Sequence, residues 1–117
     1  MAQPADPAFR QHLQALGEKY RASIPQRMAA IAAALDGAGS VPAVSALEAL
    51  HESLHVVAGS AGSFGFAVLG EQARRLEQLV RQVMAGEAAW EGVPEQIRAY
   101  LAWAERDPQG VAYAPHD

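Results

Sequence analysis

The stretch His51-Glu52-Ser53-Leu54-His55 sets two imidazoles four residues apart with a carboxylate between them. On a helix that spacing puts both rings on one face, one turn apart. It is the arrangement with which a zinc hydrolase grips its metal, the glutamate serving as general base. Such a site also needs a third protein ligand and an open position for water. The longer form of the motif places glycine at position 58 and a ligand at 61, where this chain has Ala58 and Ala61. A third ligand is then left to Glu71 or Glu77, further along the chain. Zinc proteases of this kind also line the cleft with a sheet edge, and no segment alternates with period two over a strand's length. We therefore expect no stoichiometric zinc. The plainer alternative makes both histidines ordinary solvated residues on a helix.

The elements that carry these residues follow from apolar periodicity. Phe9, Leu13, Leu16, Tyr20, Ile24, Met28, Ile31 and Leu35 recur at steps of three or four and mark one helical face. Pro25 falls inside this pattern and predicts a kink or a division into two pieces, with Ser23 as cap of the second. Asp36-Gly37-Ala38-Gly39-Ser40 reads as a stop and a turn. Pro42 opens a second helix whose core stripe is Val44, Leu47, Leu50, Leu54, Val57 and Ala61, with His51, His55, Ala58 and Gly62 on the neighbouring stripe. Ser63 is the expected cap of a third helix from Phe64 to about Met84, with core residues Phe66, Leu69, Ala73, Leu76, Val80 and Val83. Gly86 and Gly92 bracket a short connection, and Ile97, Tyr100, Leu101 and Ala104 line a fourth helix that Asp107-Pro108 ends. The expected fold is all-α: an antiparallel up-down four-helix bundle with a kinked or split N-terminal helix. One domain spans residues 1–106, and residues 107–117 form a C-terminal tail.

Composition excludes several function classes. A chain of 117 residues makes one core without needing metal or disulfide staples. The net charge of -4, with Lys19 the only lysine, offers no field for phosphate backbones, so nucleic acid is not an expected partner. The longest apolar run, Met28 to Leu35, is far short of a membrane span, and the opening MAQPADPAFR lacks signal-peptide character. The expected compartment is the cytoplasm. The absence of cysteine removes thiol catalysis and thiolate metal sites.

The residues after His55 carry more. His55-Val56-Val57-Ala58-Gly59-Ser60-Ala61-Gly62-Ser63-Phe64-Gly65-Phe66, followed by Leu69, Ala73, Leu76 and Glu77, resembles the histidine-containing phosphotransfer (HPt) domain family. It is most similar to the HPt domains of chemotaxis-type histidine kinases, which run from a phosphorylatable histidine through a glycine four residues on into an A-G-S/T-F-G-F stretch. The resemblance is strong over residues 51–80 and holds as helix pattern over about 9–105. It implies a four-helix bundle with the histidine exposed midway along the second helix. A neutral imidazole can accept a phosphoryl group and pass it on, whereas a hydroxyl forms an ester too stable to return it.

Carried onto this chain, the resemblance makes His55 the phosphorylated residue. Glu77 is the acceptor that fixes its tautomer and orients it, though spacing alone also allows a surface ion pair with Arg74 or Arg81. The docking face for the partner comprises His51, Ala58, Gly59, Gly62 and Ser63. Gly59 lies one turn beyond His55, where a side chain would obstruct a partner, although a fraying helix end explains a glycine there equally well. Most family members carry lysine or arginine where this chain has Ala58, and Arg74 is the candidate to meet the phosphoryl charge instead. The implied partners are a response-regulator receiver domain, which supplies the aspartate and the magnesium, and a sensor histidine kinase. No cofactor is expected on this chain, and no membrane contact. The expected protein is a monomeric phosphorelay intermediate without kinase activity of its own. Two alternatives stay open: a pseudo-HPt adaptor that binds a kinase or receiver without carrying phosphate, and the zinc hydrolase.

Overall fold

The computed structural model describes residues 7–113. Four α-helices follow one another: α1 (Pro7–Ala38), α2 (Val44–Ser60), α3 (Ala67–Met84) and α4 (Val93–Arg106), with a 3-10 turn at Ala61–Phe64 between α2 and α3. Among the described residues there is no strand. Each helix packs on its neighbours in the order α1, α2, α3, α4 and back to α1, which closes an up-down bundle. The most extensive interface joins α2 to α3.

The predicted stripes supply the core. Ile31, Leu50, Leu54, Val57, Leu69, Leu76, Val80 and Ile97 are fully buried, as are Tyr100 and Trp103 at the α4 side. The Tyr100 hydroxyl donates to the Leu69 carbonyl at 2.9 Å, tying α4 to α3. Burial raises the pKa of this phenol above its ordinary value, so it serves as a donor throughout the physiological range. Trp103 and Val93 are core residues that the sequence pattern did not place on the α4 face, whereas Leu101, which it did, is only half-buried.

Several expectations are corrected. Of the two alternatives at Pro25 only the division is excluded: α1 is a single helix of 32 residues with the proline inside it. The proline is on an exposed position, where water can replace the lost backbone hydrogen bond. Ser23 caps nothing; its hydroxyl donates back to the Tyr20 carbonyl at 2.6 Å and accepts from Arg27 Nε at 2.9 Å. Phe9 and Leu13, the first members of the α1 stripe, are 52% and 49% exposed. At 1.5 Å per residue α1 spans about 48 Å, while the longer of its two neighbours, α2, spans about 26 Å, so the first turns of α1 overhang the bundle. Val44 is likewise exposed at the start of α2.

The third helix begins at Ala67, not Phe64, and Ser63 does not cap it; Phe66 occupies the cap position without a side-chain bond. The cause is Gly65, whose φ of 94° turns the chain into the left-handed region that favours glycine. Its N–H donates to the Gly62 carbonyl and that of Phe66 to the Ala61 carbonyl, closing the 3-10 turn before α3 can start. Part of the tail is placed: the Tyr113 ring packs edge-on against Trp103 at 5.3 Å.

Candidate functional site

The α2–α3 interface fixes which side chains can meet. The two helices run antiparallel in one register, so that facing residues pair as one helix ascends and the other descends: Gly62 with Gly70, Ala58 with Arg74, His55 with Glu77, and His51 with Arg81. Small residues set the separation. A Cβ on Gly70 would stand 3.3 Å from Ala61 Cβ and 3.4 Å from the Gly62 nitrogen, closer than side chains normally approach. Glycine at this position therefore lets the α3 backbone reach α2 and its 3-10 extension.

Two turns further along α3, that approach brings Glu77 under the histidines. Its carboxylate is the one charged side chain buried among the described residues, at 3% exposure. A buried carboxylate must be paired and hydrogen-bonded to persist. Three side chains converge on its Oε2: His55 Nδ1 at 2.5 Å, His51 Nε2 at 3.2 Å and Arg81 Nη2 at 3.3 Å. Arg81 Nη2 also lies 3.1 Å from His51 Nε2. The two imidazoles stack with centroids 5.9 Å apart and planes within 13°.

This geometry has a chemical consequence at His55. A carboxylate only accepts, so the hydrogen of the His55–Glu77 bond belongs to Nδ1. The lone pair is then on Nε2, at the far edge of a ring whose side chain is 58% exposed. The ring is thus a defined nucleophile open to a second molecule.

The other predicted residues divide. Gly59, Gly62 and Ser63 are exposed, and a Cβ on Gly59 or Gly62 would meet nothing within 4 Å, so neither glycine is required by packing within the chain. The structure corrects the placement of Ala58: its side chain is 7% exposed and joins the hydrophobic core, because α2 meets α3 closely enough there to cover the methyl group. Its carbonyl instead accepts from Arg74 Nη2 at 3.1 Å. His51 is not a solvated bystander; its side chain is 22% exposed and contacts Glu77 and Arg81. Arg81 entered the sequence reading only as an ion-pair partner of Glu77. The i,i+4 spacings of His51 with His55 and of Glu77 with Arg81 were both readable, but their meeting needs the register between two helices.

The end of α2 is anchored from α1. The Ser60 hydroxyl donates to the Val56 carbonyl at 2.7 Å, so its single hydrogen is used and the Tyr20 hydroxyl donates to Ser60 Oγ at 2.8 Å. Tyr20 also stacks on Phe64 with centroids 5.1 Å apart. Among the described residues no group of three or more His, Cys, Asp or Glu is arranged to hold a metal ion, and no helix is long and apolar enough to cross a membrane.

The bundle thus presents an exposed imidazole held by a buried carboxylate of the next helix. Residues 15–106 match the family model described as Hpt domain, and the chain belongs to that family. Hpt domains carry phosphoryl groups on histidine in two-component phosphorelays and lack kinase activity of their own. No curated protein and no solved structure matches the chain significantly.

Proposed function

We propose that this chain is a phosphorelay intermediate in which His55 Nε2 takes a phosphoryl group from a phosphorylated receiver or a sensor histidine kinase and delivers it to a response-regulator aspartate. The observation that carries this reading is the 2.5 Å contact between His55 Nδ1 and the buried Glu77 carboxylate, with the other edge of the ring facing outward on an exposed side chain. When the donor is a phosphorylated receiver, the Nε2 lone pair attacks phosphorus, the N–P bond forms, the acyl P–O bond breaks, and the receiver's aspartate leaves as a carboxylate. Glu77 holds the Nδ1 proton while this happens, which keeps the lone pair on the attacking atom. Magnesium for the transfer belongs to the receiver's pocket. The protein acts as a cytoplasmic monomer of the chemotaxis-type branch of the family, and Gly59 on α2 with Gly62 and Ser63 in the 3-10 turn leave room for the receiver.

Arg74 is assigned the phosphoryl charge that family members meet with a basic residue in place of Ala58. Its bond to the Ala58 carbonyl supports this, since it holds the guanidinium on α2 within one turn of His55. The pseudo-HPt alternative draws on the same position: Ala58 supplies no cation and its side chain is turned into the core. Incubation with a phosphorylated receiver separates the two. The carrier acquires an acid-labile, base-stable phosphate that is lost in His55→Gln and still found in His51→Gln. An adaptor binds the receiver and stays unlabelled.

A further inference from the structure

We infer that His51 is a positioning residue for phosphotransfer: its Nε2–H donates to Glu77 Oε2 and, with Arg81, holds the carboxylate in the orientation that fixes the His55 tautomer. This rests on the phosphotransfer reading of His55 and assigns a role to a second histidine outside the reacting pair.

The assignment follows from the hydrogen count around Glu77. Three nitrogens lie within 3.3 Å of one oxygen. If His51 Nε2 carried a lone pair, two acceptor atoms would face each other at 3.2 Å beside a buried carboxylate, and only Arg81 could bridge them. If Nε2 carries the hydrogen, all three groups donate to the carboxylate, and the 3.1 Å approach of Arg81 to His51 is that of two donors sharing one acceptor. The second arrangement satisfies the only buried charged side chain described, and the first opposes it.

Position makes the contact consequential. His51 covers Glu77 on the side away from Ala58, one helical turn before His55, and its ring lies nearly parallel to that of His55. With His51 shortened, water can reach Oε2, and the carboxylate is free to turn away from His55 Nδ1. His55 then distributes its hydrogen between the two ring nitrogens, and the fraction with a lone pair on Nε2 falls.

The test compares His51→Ala with His51→Gln, whose side-chain amide N–H reaches about as far as the imidazole Nε2–H. Long-range proton–nitrogen NMR of the imidazoles reads the His55 tautomer in the free protein, and a phosphorylated receiver reads transfer rate and affinity. Circular dichroism establishes that both variants are folded. The expected result is loss of the dominant Nδ1–H form of His55 and roughly five- to tenfold slower transfer at saturating receiver in His51→Ala, with both properties largely restored in His51→Gln. An unchanged tautomer in His51→Ala overturns the inference, and so does a His51→Gln protein as impaired as His51→Ala. Absence of label on His55 in the unsubstituted protein overturns the phosphotransfer reading instead, while the NMR comparison still decides whether His51 positions Glu77.

Discussion

At the scale of single residues, the site depends on a hydrogen whose place is dictated by a neighbour. Glu77→Ala removes the acceptor from His55 Nδ1 and leaves His55, His51 and Arg81, whose side chains are 58%, 22% and 63% exposed, with access to water. The fold should survive, because no charge is left buried and unpaired. Transfer should slow by roughly ten- to a hundredfold, the rate equivalent of one hydrogen bond to a charged group of about 1.5–3 kcal/mol. Stopped-flow transfer from a labelled receiver measures this, and a rate within twofold of the parent contradicts the role of Glu77. Arg74→Ala should cost about tenfold or more by the same reasoning, since a guanidinium near a phosphoryl group makes charge-assisted contacts. Transfer at the parent rate in that variant means the domain works without this cation.

At the scale of elements, two glycines of similar appearance in the sequence have different work. Gly70 is buried against Ala61 and Gly62, whereas a side chain at Gly59 meets open space. Gly70→Val should therefore push α3 away from α2 and destabilise the protein by roughly 1–3 kcal/mol, the usual range for overpacking. Chemical denaturation followed by circular dichroism checks this, with a midpoint equal to the parent's as the contrary result. Gly59→Gln should leave stability unchanged or slightly higher, because glutamine is the better helix former, and should weaken receiver binding. Titration calorimetry against the receiver decides it: equal affinity means that the α2 surface at Gly59 is not part of the docking face.

The whole molecule explains why one apolar stripe has two fates. Ile31 and Leu13 belong to the same face of α1, but Ile31 is fully buried and Leu13 is 49% exposed. Ile31→Ala should cost about 2–5 kcal/mol, as large-to-small changes in a closed core do. Leu13→Ala should cost less than about 1 kcal/mol, since little of its surface is withdrawn from water on folding. Thermal unfolding of the two variants side by side makes the comparison, and equal losses would show that the overhanging turns are as tightly packed as the bundle.

Periodicity in the chain was sufficient to read four helices and most of their buried faces, because a helix with a 3.6-residue repeat must turn one stripe inward whatever it packs on. The exposure of His55 followed from the family resemblance. The choice of His55 over His51 as the reacting residue, and of Glu77 as its partner, came from the sequence through family resemblance. Spacing alone left Glu77 open to a surface ion pair. What the sequence left undecided depends on distance between elements. The overhang of α1 follows from unequal helix lengths, and the start of α3 at Ala67 from the left-handed turn at Gly65. Ala58 faces the core, and His51 and Arg81 join His55 on one oxygen, because Gly70 lets two antiparallel helices close together in a single register. Register is a property of the packed pair, since each helix by itself presents the same stripe at every turn and only the fit of small residues against backbone selects which turns meet.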